Sequence, residues 1–380
     1  MNESDVEAQD AAKIHALLEA KRFDSALRLL APLLADSPDN VALWQLTAIA
    51  HYGADRYPDA AEAATRAIGL RPDDPDLHLL LGQTLIASGH MGEGVGAAMR
   101  ALELNPNRAD AHITIALALA HTDHSRDRAV WHATRARDLE PDSASAHHAV
   151  GAALMIGRTR RAAKQSDGPL NEALRIDPQL SDAWNSLAVA HIRRGRSVRA
   201  IRACVTALQL DPQSEIAAHN LPLAVWLLVF SGRWWVLGFL LVTVPTAIVA
   251  LGSDTLVIGL IVRLVGAIAI AAATWWLLWF RLLRVFPIDM RSAAMAVLRR
   301  DRLVRPVWLG QAWAAAWQFI MIVVPWWNPG MIGTCVWVSA LGVWISTLVS
   351  GGRLKNARKQ LQRERFEAWW KVAAPTRAPS

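Results

Sequence analysis

The chain reads as all-α: a tetrad of membrane helices preceded by a longer solenoid of paired helices. Three observations predict this. Pro recurs at 38, 72, 106, 141, 178 and 212, each time in a short turn after an Ala/Leu-rich run, at gaps of 34, 34, 35, 37 and 34 residues. A repeat of that length is one helix-turn-helix unit, which cannot bury its apolar face alone and must stack on its neighbours. After Asn220, apolar runs appear whose lengths suit a bilayer. The charge changes at the same place: residues 1–232 hold 23 Lys+Arg and 28 Asp+Glu, whereas residues 233–380 hold 17 and 5.

Taken in order, the repeats fill residues 1–216. The second unit runs through Trp44, Ala48, Ala60, Ala64, Ala67 and Pro72, and the third through Leu81, Gly82, Leu85, Gly94, Ala98, Ala101 and Pro106. The sixth repeats the pattern with Trp184, Leu187, Ala188, Ala200, Cys204, Ala207 and Pro212. Small residues stand where two antiparallel helices cross, because a side chain beyond Cβ would push them apart. Turns such as Pro72-Asp73-Asp74-Pro75 supply a helix stop, an N-cap and acidic charge for the next N-terminus. The fourth unit has one extra residue around His121–Asp127 and the fifth has three, placed at Arg158–Pro169. Longer or irregular turns are expected there.

The order of a large residue, Leu-Gly or Leu-Ala, three small residues and Pro resembles the tetratricopeptide repeat family, over about residues 7–216 and six units. The resemblance implies that the first helix of each pair lines a concave groove that takes a partner's peptide or helix. Candidate groove residues are then Gln45, Ile49 and Tyr52; Leu79, Gln83 and Ile86; Ile113 and Leu117; His148 and Met155; and Asn185, Val189 and Arg193. Paired Lys and Asn, with which some family members grip a terminal carboxylate, are not present in register. An extended or helical apolar segment is the expected guest.

No enzyme signature and no cofactor site is read from the chain. Cys204 and Cys335 are the only cysteines, without paired spacing, and Cys204 reads as a buried packing residue. His121-x-x-His124 and His147-His148 do not converge on a metal geometry, since adjacent helical residues point about 100° apart. The motifs GxxxxGK[ST], HExxH and GxSxG are missing. The basic excess lies beside Trp-rich apolar runs, which favours membrane lipid over nucleic acid as partner.

Leu221–Phe230 is too short to cross a bilayer and reads as a capping helix in a junction at 217–233. A transmembrane domain is expected over 234–351, with spans at 234–251, 255–280, 307–327 and 331–350, and a basic tail over 352–380. The loop 281–306 holds seven Arg against two Asp, and the tail 351–380 eight basic against two acidic residues. That bias puts both termini on the cytoplasmic side of a bacterial plasma membrane. The start, MNESDVEAQD, shows no secretion leader. Fifteen of the 18 Trp follow residue 220, many near expected interfaces. Segments Asp289–Val304 and Leu354–Val372 alternate basic and apolar residues and are expected to lie on anionic lipid. Arg263 is the one charge well inside a span. With Gln318, Thr243 and Ser339 it would form a polar layer about 12 Å deep, at about 1.5 Å per residue.

Two functions fit these elements. One is a membrane-anchored, cytoplasm-facing scaffold that recruits a partner through the repeats. The other is a regulatory or structural subunit of a transporter, channel or membrane enzyme complex in which Arg263 acts.

Overall fold

The structure, a computed structural model, describes residues 3–120, 125–156, 159–231, 304–323, 334–349 and 351–352, with scattered positions between 245 and 286. The chain divides into two compact units, Met1–Pro178 and a second that begins at Gln179. The first unit contains α1 (Glu3–Glu19), α2 (Phe23–Asp36), α3 (Val41–Gly53), α4 (Tyr57–Leu70), α5 (Pro75–Ala87), α6 (Met91–Leu104), α7 (Ala109–Ala120), α8 (Arg126–Leu139), α9 (Ala144–Leu154), α10 (Arg160–Gln165) and α11 (Asp167–Ile176). The second contains α12 (Ser181–Arg193), α13 (Ser197–Leu210), α14 (Glu215–Ser231), α15 (Val304–Val323) and α16 (334–349). No strand occurs among the described residues.

Turn chemistry repeats with the period. Between the two helices of a pair, Lys21, Asp55, Gly89 and Gly195 hold one repeat position with φ of 55°, 58°, 90° and 74°. The following amide reaches back five residues in each: Arg22 to Leu17, Arg56 to His51, His90 to Leu85 and Arg196 to His191, at 2.8–2.9 Å. These are left-handed C-terminal caps that satisfy the last carbonyls of the first helix. Between pairs, Asn40, Asp74 and Ser143 cap the next helix by accepting first-turn amides. A ring nitrogen six residues after the turn Pro then takes that Pro's carbonyl. Trp44 reaches Pro38 at 2.7 Å, His78 reaches Pro72 at 2.7 Å and His147 reaches Pro141 at 2.9 Å. Each is thus a staple holding turn to helix.

The small residues sit at the crossings as expected: Ala48, Ala60, Ala64, Ala67, Ala98 and Ala101 are fully buried. A Cβ on Gly82 would lie 2.8 Å from the Gly94 carbonyl oxygen, and one on Gly94 would lie 2.7 Å from that of Gly82. Helices α5 and α6 therefore meet backbone to backbone, an approach that only glycine allows.

The fifth repeat corrects one expectation. Its three extra residues do not lengthen a turn; they lie in its second helix. Second helices α4, α6, α8 and α13 have 14 residues each, whereas α10 and α11 together run from Arg160 to Ile176. Pro169 has no N–H to give the Gln165 carbonyl and crowds it, so the helix breaks at Ser166. Ser166 is buried there, with its hydroxyl on the Ala163 carbonyl at 3.1 Å. It is chiefly α11 that packs on α9. The extra residue of the fourth repeat falls between α7 and α8, where residues 121–124, and with them His121 and His124, lie outside the described residues.

In the second unit, α12 and α13 form the sixth pair and α14 covers them. Their core joins Ala200, Ile201, Cys204 and Val205 to Leu221, Val225 and Leu228, and it continues into Phe286, Val304 and Val307. Gln311 of α15 donates its side-chain amide to the Val229 carbonyl of α14 at 2.5 Å. Helices α15 and α16 run antiparallel, with Gly310 against Gly342 and Ser346, and Ala314 against Ser339.

No helix among the described residues is long and apolar enough to cross a membrane. Helix α15 reaches 20 residues but carries Arg305, Gln311 and Gln318. Residues 334–349 are helical, and 331–333 and 350 on either side lie outside the described residues. Apart from isolated positions, the expected spans 234–251 and 255–280, the loop segment Asp289–Val304 and the tail 352–380 lie outside the described residues.

Candidate functional site

Equivalent positions on successive first helices make up the candidate groove. Ile49 on α3, Gln83 on α5 and Leu117 on α7 share one register 34 residues apart, and all three are half-buried. Around them Gln45, Ile86 and Ile113 are also half-buried, and Tyr52 is exposed. Gln83 donates to the Thr114 hydroxyl of the next repeat at 3.4 Å, which joins two rungs of the ladder. The Tyr52 ring meets Tyr57 edge-on at 5.7 Å, and the Tyr57 hydroxyl donates to Asp55 at 2.6 Å. The Tyr52 corner is thus fixed by the turn that carries the left-handed Asp55.

Three candidate residues face inward instead. Leu79, His148 and Asn185 are buried, and Asn185 accepts from the Asn220 side-chain amide at 2.9 Å. They occupy the register of Gln45 and Ile113, a position at the edge of the helix–helix seam. Met155 is buried as well. Val189 and Arg193 are half-buried on α12, in the second unit.

The sequence reading missed a histidine pair. His112 on α7 and His132 on α8 are 3% and 6% exposed, and their Nδ1 atoms lie 2.9 Å apart. His112 Nε2 lies 3.4 Å from the Pro106 carbonyl, the loosest of the turn staples. With His112 protonated at Nε2, its Nδ1 lone pair accepts the Nδ1–H of His132. Trp131, largely exposed, stands edge-on to both rings at 5.6 and 4.8 Å. Burial pushes His132 down to about 4, helped by His112 and Arg128. Burial also lowers His112, opposed by its Pro106 contact and aided by Arg135. The pair is 20 residues apart on different helices, so only the staple position, shared by Trp44, His78 and His147, could have flagged His112.

Among the described residues no group of three metal-ligating side chains converges. Burial raises the Cys204 thiol to about 12, the environment of a packing residue. Of the expected polar layer only Ser339 has a described side chain; Arg263 and Thr243 lie outside the described residues, as does the side chain of Gln318. Ser339 is buried and donates to the Ala314 carbonyl at 3.1 Å. It therefore seals a helix pair.

Two tetratricopeptide-repeat family models match the chain, one over residues 12–75 and the other over 51–118. The repeats are therefore tetratricopeptide repeats over that stretch. Among solved structures, PilW, a widely conserved type IV pilus biogenesis factor, is 15% identical with a TM-score of 0.47, covering 58% of this chain and 100% of its own. A thermophilic TPR protein of Thermus thermophilus is 17% identical with a TM-score of 0.44, covering 49% and 98%. YrrB, described as a TPR protein with an unusual peptide-binding site, is 14% identical with a TM-score of 0.34, covering 50% and 96%. No curated protein matches the sequence.

Proposed function

We propose that this chain is a non-enzymatic scaffold which holds a partner protein's apolar segment in its repeat groove while its C-terminal half sits in a membrane. The groove reading rests on the ladder of Ile49, Gln83 and Leu117. Their half-buried apolar and amide groups offer packing and backbone hydrogen bonds at one-repeat intervals, without charge. Support for the membrane reading comes from an inverted distribution of side-chain size. Gly310, Ala314, Ser339, Gly342 and Ser346 fill the α15–α16 contact, whereas Trp313, Trp337, Trp344 and Leu348 are each more than half exposed. Ile261, Val265 and Ile268 are likewise more than half exposed beside buried Gly266. Water penalises such a surface, whereas lipid favours it, and close contact through small residues is how helices associate there. The charge bias of the sequence favours a cytoplasmic side for the repeats.

Photocrosslinking in cells tests the groove. A photoreactive residue at Ile49 and another at Leu117 should capture the same protein, Leu117→Glu should abolish capture at Ile49, and a probe at Met99 on a second helix should capture nothing in common. Capture that is indifferent to Leu117→Glu refutes the groove. Release of the full chain from membranes by alkaline carbonate refutes the anchor.

A further inference from the structure

Between α15 and α16 runs an apolar groove of about 460 Å³. Its walls are Pro306, Leu309, Trp313, Leu341, Ile345 and Val349, and its floor includes Gly310, Gly342 and Ser346. Because the floor residues are small, the two backbones approach closely and the large side chains stand up on either side. A Cβ on Gly310 would lie only 2.8 Å from the Gly342 carbonyl oxygen. We propose that this groove binds one acyl chain of an anionic phospholipid, with the headgroup at Arg305.

Two features select that occupant. The Ser346 hydroxyl, the polar side chain on the floor, already donates to the Val343 carbonyl at 2.8 Å. A peptide laid in the groove would leave its backbone N–H and C=O groups unpaired, whereas an acyl chain has none to satisfy. The antiparallel pairing also brings Pro306 and Val349 to the same mouth. There Arg305 is exposed, the one cation at that mouth among the described residues. An apolar slot that opens at an exposed guanidinium matches a lipid with an acyl tail and an anionic phosphate.

The inference rests on the anchored reading, and one experiment separates the two. The full chain is mixed with phosphatidylcholine vesicles containing phosphatidylglycerol whose acyl chain carries a diazirine. After sedimentation and irradiation, adducts are mapped by mass spectrometry. Adducts should concentrate on residues 304–323 and 334–349, and unlabelled phosphatidylglycerol should compete about fivefold better than phosphatidylcholine, the size of one basic side chain at an anionic surface. Ile345→Trp should fill the slot and remove the adducts while the chain still sediments. Arg305→Gln should keep adducts but equalise the two competitors. Adducts that are spread along the chain, that survive Ile345→Trp, or that keep their headgroup preference in Arg305→Gln overturn the groove and leave the anchor standing. A chain that does not sediment with vesicles overturns both.

Discussion

Acid should open the fourth repeat before its neighbours, through His112 and His132. In the folded chain His132 titrates near 4 because burial, His112 and Arg128 all oppose a second proton; unfolded, it returns to about 6.5. A folded value below the unfolded one means that the native state binds fewer protons, so stability is complete above about 6.5 and falls as pH drops toward 4. At pH 5 that difference is on the order of 2 kcal/mol, or about a 30-fold change in the opening equilibrium. Geometry points the same way. A second proton on His112 would place N–H groups on both Nδ1 atoms, which stand 2.9 Å apart with one hydrogen between them. Hydrogen exchange on the full chain, corrected for intrinsic rates, measures the effect. Between pH 7 and pH 5, amides of α7 and α8 should lose about 30-fold more protection than those of α5 and α6. His132→Gln, which keeps an N–H donor for His112 but does not titrate, should remove most of that excess. If α7 and α8 lose no more than α5 and α6, or if His132→Gln leaves the excess intact, the pair is not the acid-labile point.

Gly94→Ala should cost about 1–3 kcal/mol in urea unfolding, because its new methyl would meet the Gly82 carbonyl oxygen and the Ile86 amide nitrogen, backbone atoms that cannot swing aside, as well as Ile86 Cγ1. Asn185→Leu alone should lose about 1–3 kcal/mol by orphaning the buried Asn220 amide, and Asn220→Leu added to it should recover most of the loss in a double-mutant cycle. His191 sits where other repeats carry Leu85, Leu119 and Leu154, its Nδ1 has no hydrogen-bond partner among the described residues, and burial beside Arg196 and Arg199 takes it to about 4. His191→Leu should therefore raise the melting temperature, and by more at pH 5 than at pH 8.

Legibility followed the range of the forces involved. Helix pairs, Pro-marked turns and Ala-lined crossings were readable because each depends on residues a few positions apart, and the same chemistry recurs every 34 residues or so. The break in the fifth repeat was located at Arg158–Pro169 but given to a turn. The sequence marks Pro169 as a punctuator, whereas only packing decides that α11 keeps its place on α9 while the surplus moves upstream into α10. Among the candidate groove residues Ile49, Gln83 and Leu117 are half-buried, whereas Leu79, His148 and Asn185, in the register of Gln45 and Ile113, are buried, a difference the period alone does not encode. Asn185 illustrates the limit, since its partner Asn220 lies 35 residues on. Phe286, Val304 and Val307 in the core of the sixth repeat carried no periodic signal at all.

That last arrangement bears on how the molecule can be taken apart. A cut at residue 216 would remove α14 and leave Ile201 of α13 facing water, and a cut at 233 would keep α14 but take away Phe286, Val304 and Val307, which complete the interior around Val225. Truncation after Pro178 instead follows the boundary of the first compact unit, which holds five repeats. The sixth pair shares its interior with α14 and α15, so an excised fragment that is to keep that pair must carry the chain through α15.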